Sequence, residues 1–139
     1  MHLKTHLFLK LNINNIMSIF DRKTITEKIQ SYEDACKVLH VKSKVGIFEH
    51  LDKHEVAYIK LTTIIRALNE RWIPDWDNPY TFKYYCYFHI KNKSLDNAYV
   101  TNGTSYANSN VSPYMTFKDE NLANYAMSQF KDLYLDFMT

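Results

Sequence analysis

Between Ala57 and Ile90 the spacing of apolar residues changes once, from a helical period to a strand period, and Pro74 stands at the change. Ala57, Leu61, Ile64 and Leu68 recur at intervals of four, three and four, which aligns them on one face of a helix, with Glu55, Thr62, Arg66 and Glu70 opposite. The spacing predicts a helix over residues 54–71. Trp72 ends that pattern, and Pro74 forbids its continuation while biasing Ile73 toward extended backbone. Beyond it Phe82, Tyr84, Cys86, Phe88 and Ile90 alternate with Lys83, Tyr85, Tyr87 and His89, so a strand over 82–90 is expected to carry the two sets on opposite faces.

The flanking segments extend this reading. Ser31 offers a side-chain cap ahead of "YEDACKVL", whose acids fall in the first turn, and a short helix from Tyr32 to about Leu39 follows. Turn-rich "KNKSLDN" leads to "AYVTNG" and "TSYANSNVSP" leads to "YMTF", which adds two further strands of an antiparallel meander. Asp119 caps a last helix, in which Leu122, Ala126, Phe130, Leu133 and Phe137 form an apolar stripe reaching almost to the C-terminus. Helices that bracket a run of strands, without alternation of the two, predict an α+β domain. It has a small antiparallel sheet of about three strands, helices packed on one face, and a long C-terminal helix.

At 139 residues, 46% hydrophobic and 23% charged, the chain suits one globular domain. A domain of this length buries about two-thirds of its unfolded surface and needs no metal, disulfide or cofactor to fold. Residues 17–139 are expected to form it. Met17 reads as an ordinary cytosolic start, which leaves residues 1–16 as an extension, or as a loose strand in which Leu7, Leu9, Leu11 and Ile13 alternate. The opening apolar run is far short of the ~20 residues that span a membrane and has no small-residue cleavage site, so no membrane association is expected. Cys36 and Cys86, fifty residues apart, fit reduced thiols and a cytoplasmic setting better than a disulfide framework.

Gly46 and Gly103 are the two glycines, so there is nothing from which to build a G-x-G-x-x-G turn, a phosphate-cradling P-loop or a nucleophile elbow. Seventeen Lys and Arg against fifteen Asp and Glu give +2, too even a balance to advertise a polyanion by charge alone. The elbow "NERWIPDWDNPY", residues 69–80, holds both tryptophans. Trp72 and Trp76 are expected under the helix-to-sheet corner first and at a ligand site second, with Asp75 or Asp77 as partner for an indole N–H.

"RALNERWIPDWDN", "FKYYCYF" and "MTFKDENLANYAMSQFKDLYLDF", in this order, resemble a family of short uncharacterised proteins from phages, prophages and mobile elements of Bacteroides-like and Flavobacterium-like bacteria. The resemblance runs from about Gln30 to Phe137. Arg71 stands where that family leads one to expect glycine, and Cys86 where it leads one to expect proline. The resemblance implies a bacterial host cytoplasm and a viral or mobile genome, and it brings no catalytic residues.

The spacings that resemble chemical motifs have plainer readings. His50 and His54 share a face only if one helix holds both, no third ligand is within local reach, and the H-E-x-x-H glutamate is missing. Cys36 and His40 lie four apart on the short helix, whereas Cys86 and His89 fall on opposite faces of a strand, and both thiols read as buried and structural. Asp75 with Asp77 reads as turn chemistry, and Asp119 with Glu120 as a helix start. No catalytic residue, cofactor or metal is expected.

The outward strand face is the more informative surface. Lys83, Tyr85, Tyr87 and His89, with Tyr99 on a neighbouring strand and Lys91 and Lys93 beyond, interleave aromatics with cations. Burial beneath a helix ranks first for such a face, contact with a protein second, and stacking of single-stranded nucleic acid third. The candidate binding residues are therefore Trp72, Trp76, Lys83, Tyr85, Tyr87, His89 and Tyr99. The expected function is that of a non-catalytic accessory module binding a host or viral protein, with single-stranded nucleic-acid binding or a minor virion component as alternatives.

Overall fold

The computed structural model describes residues 23–103 and 112–139. In chain order they form helix α1 (Ile25–Lys28), helix α2 (Tyr32–Leu39), a 3-10 turn (Val45–His50) and helix α3 (Lys53–Leu68). Strands β1 (Lys83–Lys91) and β2 (Ser94–Gly103), a second 3-10 turn (Pro113–Met115), helix α4 (Glu120–Gln129) and helix α5 (Lys131–Met138) follow. The fold is α+β. The expectations for residues 1–16 and the Met17 start lie outside the described residues.

Helix starts follow the side-chain oxygens in the sequence. Ser31 Oγ accepts from the Asp34 N–H at 3.1 Å and Asp119 Oδ1 from the Leu122 N–H at 2.9 Å, each satisfying a first-turn donor that has no partner within its helix. Glu55 reaches back to the Asp52 N–H at 2.8 Å to open α3. The predicted apolar face of α3 is the buried one: Ala57, Leu61, Ile64 and Leu68 are all almost wholly covered. Helix α3 packs against α2 on one side and α5 on the other, and α4 lies on the β1–β2 hairpin.

Helix α3 ends at Leu68, three residues before the sequence pattern runs out. Asn69 stays right-handed, but Glu70 and Arg71 adopt φ of 51° and 65°. The Glu70 N–H bonds the Ala67 carbonyl and the Arg71 N–H the Arg66 carbonyl, closing the helix with a left-handed pair. Each non-glycine residue held there costs about 1–2 kcal/mol. The glycine expected at position 71 from the resemblance would meet that demand without strain.

Among the described residues the sheet has two strands where about three are expected. β1 and β2 pair antiparallel from Lys83 with Gly103 to His89 with Asn97, and the register then shifts so that Ile90 faces Leu95, leaving Asp96 as the extra residue of a bulge. Asn92 and Lys93, at φ 52° and 58°, form the left-handed centre of the turn. The segment expected as a third strand, Tyr114–Phe117, contributes one bridge, in which Tyr84 and Phe117 exchange both backbone hydrogen bonds at 3.0 and 2.7 Å. Two features keep it from going further. Pro113 opens a 3-10 turn, and beyond it Asn69 draws the backbone to the end of α3 by bonding the Thr116 carbonyl and the Lys118 N–H.

The C-terminal stripe is likewise divided. Phe130, at φ −112° and ψ 26°, separates α4 from α5. Helix α4 lies along both strands of the hairpin, while α5 packs mainly on α3, sending Phe137 to the Tyr58 ring at 5.6 Å, and also reaches β1 through Tyr134 and Phe88 at 4.6 Å. The core runs continuously from Ile29, Tyr32 and Leu39 through α3 to Phe117, Leu122, Ala126, Phe130 and Tyr134.

Candidate functional site

The inner face of β1 is Tyr84, Cys86 and Phe88, packed with Val100 against the core. Strand alternation then turns Tyr85, Tyr87 and His89 outward, and register sets Tyr99 directly across from Tyr87. The Tyr87 and Tyr99 rings stack with centroids 4.9 Å apart and 29° between planes, and both stay close to half exposed. His89 extends the row at 6.4 Å from Tyr87, and its Nδ1 lies 3.9 Å from the Asp96 carboxylate that the bulge presents. Tyr85 is half-buried. Tyr87, His89 and Tyr99 are exposed and no helix among the described residues covers them, so the burial ranked first for this face does not occur there.

Lys83 does not belong to this surface. Alternation puts it on the outer side, yet it is fully buried. The elbow folds over it: Nζ donates to the Asn78 carbonyl at 2.7 Å and lies 5.6 Å from the centre of the Trp76 ring. The cation expected to neutralise a ligand is spent on holding the elbow to the hairpin.

The two tryptophans divide their roles. Trp76 lies over Lys83 at the start of β1, but neither neighbouring aspartate serves its indole. Asp75 Oδ1 accepts from the Asp77 N–H at 3.0 Å, and Trp76 Nε1 is buried without a hydrogen-bond partner among the described residues. Trp72 is half-buried in the wall of a cleft of about 760 Å³ on the far side of the α3 end.

Three segments meet at that cleft. Helix α3 supplies Tyr58, Thr62 and Arg66, the left-handed helix end supplies Arg71 and Trp72, and the loop after α2 supplies Lys42 and Lys44. Tyr114 closes the rim. Among the described residues the lining holds four cations and no carboxylate. Two hydrogen bonds fix its frame: Arg71 Nη2 donates to the Leu39 carbonyl at 2.5 Å, and the Lys44 backbone N–H to the Tyr32 hydroxyl at 2.9 Å. Burial raises the Tyr32 phenol above its usual range, keeping it neutral. Sequence reasoning singled out Trp72 but missed the cations, because Lys42, Lys44, Arg66 and Arg71 come from elements whose meeting no local spacing records.

The other spacings carry no joint chemistry. His50 closes a 3-10 turn and His54 belongs to α3, with the Asp52 cap between them, so no single helix sets them on one face. Cys36 is buried in α2, whereas His40 ends that helix at φ 55° and is exposed. The Cys86 thiol donates to the Ala123 carbonyl at 3.4 Å, and burial pushes its pKa up to about 11, away from the thiolate that a nucleophile needs. Beside it the buried Tyr134 hydroxyl makes no hydrogen bond of ordinary geometry, and burial raises it well above the usual phenol range. Among the described residues no three His, Cys, Asp or Glu cluster closely enough to share a metal, and no helix is long and apolar enough to cross a membrane.

No protein-family model, no curated protein and no solved structure matches the chain.

Proposed function

We propose that this chain is a non-catalytic binding module that engages a host or phage-borne protein through the outer face of the hairpin, with Tyr87 and Tyr99 as anchors. The observation that supports this reading is the stacked pair itself. Two tyrosines fixed ring to ring across paired strands lose little further rotamer freedom on docking, and each brings apolar area with a polar tip. With Lys83 withdrawn beneath Trp76, the face offers rings at its centre and Lys91 and Lys93 at the tip. Such a surface suits an apolar protein patch with an acidic border better than a polyphosphate backbone, which would require cations along the whole row. The resemblance to phage and mobile-element proteins supplies the cellular setting of the proposal, a bacterial cytoplasm.

The experiment compares the wild-type chain with a Tyr87→Ala/Tyr99→Ala double variant as bait in lysate of a Flavobacterium-like host, and the retained protein is then titrated in purified form. A partner held by wild type and weakened at least ~100-fold by the double variant supports the reading, since two anchor residues are lost. Identical retention by both baits sinks it. Single-stranded DNA binding at low salt that the same variant abolishes would move the face to the nucleic-acid class.

A further inference from the structure

We propose that the cleft between the end of α3 and the loop after α2 binds a mononucleotide, with the phosphate held by Arg66, Arg71, Lys42 and Lys44 and the base laid against Trp72. Charge is the first argument. The whole chain carries +2, and four of its seventeen Lys and Arg line this one depression with no acid beside them among the described residues, which makes its wall locally cationic. The nearest carboxylates in sequence are engaged elsewhere, Glu70 with Lys118 Nζ at 2.6 Å and Asp75 with the Asp77 backbone. Among the described residues no carboxylate of the lining pairs with these cations.

Shape and chemistry narrow the ligand. A volume of about 760 Å³ falls within the range of small-molecule pockets and exceeds the needs of a bare phosphate. With two glycines the sequence offers no glycine-rich loop to cradle a phosphate, and at this cleft charged side chains are placed to do the holding. Arg71 is the fixed point. Its bond to the Leu39 carbonyl sets the orientation of the guanidinium and leaves further N–H donors for an oxyanion. Trp72 supplies a flat indole at the wall and Tyr114 an exposed ring at the rim, the surfaces on which a base stacks. The left-handed pair at Glu70 and Arg71 brings the guanidinium and the indole to one wall within two residues of sequence.

The test is isothermal titration of the full chain at low ionic strength with adenosine monophosphate, adenosine, inorganic phosphate and a short single-stranded oligonucleotide. Saturable binding of the monophosphate is expected, weakened at least ~10-fold in Arg66→Ala and again in Lys42→Ala/Lys44→Ala, because each removes a charge-assisted hydrogen bond. All three residues are exposed, so these variants should melt with wild type, and a circular dichroism melt checks this. Adenosine and phosphate should each bind at least ~10-fold more weakly than the monophosphate, since each lacks half of the contacts. The Tyr87→Ala/Tyr99→Ala variant should bind it unchanged, which separates this site from the hairpin face. No saturation by the monophosphate, affinity indifferent to Arg66 and the lysines, phosphate binding as tightly as the nucleotide, or binding of the oligonucleotide alone would each overturn the proposal.

Discussion

The Asn69 side-chain amide donates to the Thr116 carbonyl at 2.7 Å, and both residues are buried. The same side chain accepts from the Lys118 N–H at 3.0 Å, so one residue at the end of α3 bonds the backbone on either side of Phe117 as a neighbouring strand would. Phe117 is thereby held in register with Tyr84 although Tyr114–Phe117 does not form a strand.

Removing that clamp should be costly. Asn69→Ala leaves a buried carbonyl without its donor, and about 2–3 kcal/mol of stability should be lost. Asn69→Asp should be at least as damaging, because it sets a carboxylate against the Thr116 carbonyl. Urea midpoints of the two variants measure this, and an unchanged midpoint for Asn69→Ala would show that the clamp is not formed.

Lys83 is expected to behave as a core residue rather than a ligand contact. Lys83→Ala removes a fully buried stem, the bond to the Asn78 carbonyl and the cation beside Trp76, for a loss of about 2–4 kcal/mol. Thermal denaturation checks the figure. A variant melting with wild type would return Lys83 to the surface.

Alkaline pH should weaken the fold through Cys86. The ordinary thiol gives up its proton near 9.0, whereas the buried one holds it to about 11, so between those values the folded chain binds more protons than the unfolded chain and stability falls as pH rises. The full loss is on the order of 2–3 kcal/mol. Tyr134, also raised by burial, adds to the fall only above the ordinary phenol value of 10.0. In Cys86→Ala the slope just above pH 9.0 should flatten, as read from urea unfolding at successive pH values.

At position 71 glycine should outperform alanine. Both substitutions lose the bond to the Leu39 carbonyl, but only glycine is at ease with a φ of 65°. Arg71→Gly should be more stable than Arg71→Ala by about 1 kcal/mol, measured by denaturant unfolding. Equal stabilities would mean that the helix does not end in this left-handed pair.

Local features carried much of the fold. The cap residues Ser31 and Asp119, the apolar face of α3 and the alternation along β1 were legible because each depends on neighbours within a few positions. The limits of elements were less so. The end of α3, the division at Phe130 and the shrinking of Tyr114–Phe117 to a single bridge each sit beside contacts distant in sequence: Arg71 to the Leu39 carbonyl, Tyr134 to Phe88, and Asn69 to Thr116.

The same division holds for the candidate sites. Strand periodicity by itself determined that Tyr85, Tyr87 and His89 share a side, because successive residues of a strand must point oppositely. Whether that side is open was decided by the tertiary fold, which lays the elbow over Lys83 and leaves Tyr87 and Tyr99 bare. The cationic cleft was decided wholly there, since charges from α3, its left-handed end and the loop after α2 become neighbours only when burial of the α2 and α3 faces brings those segments together.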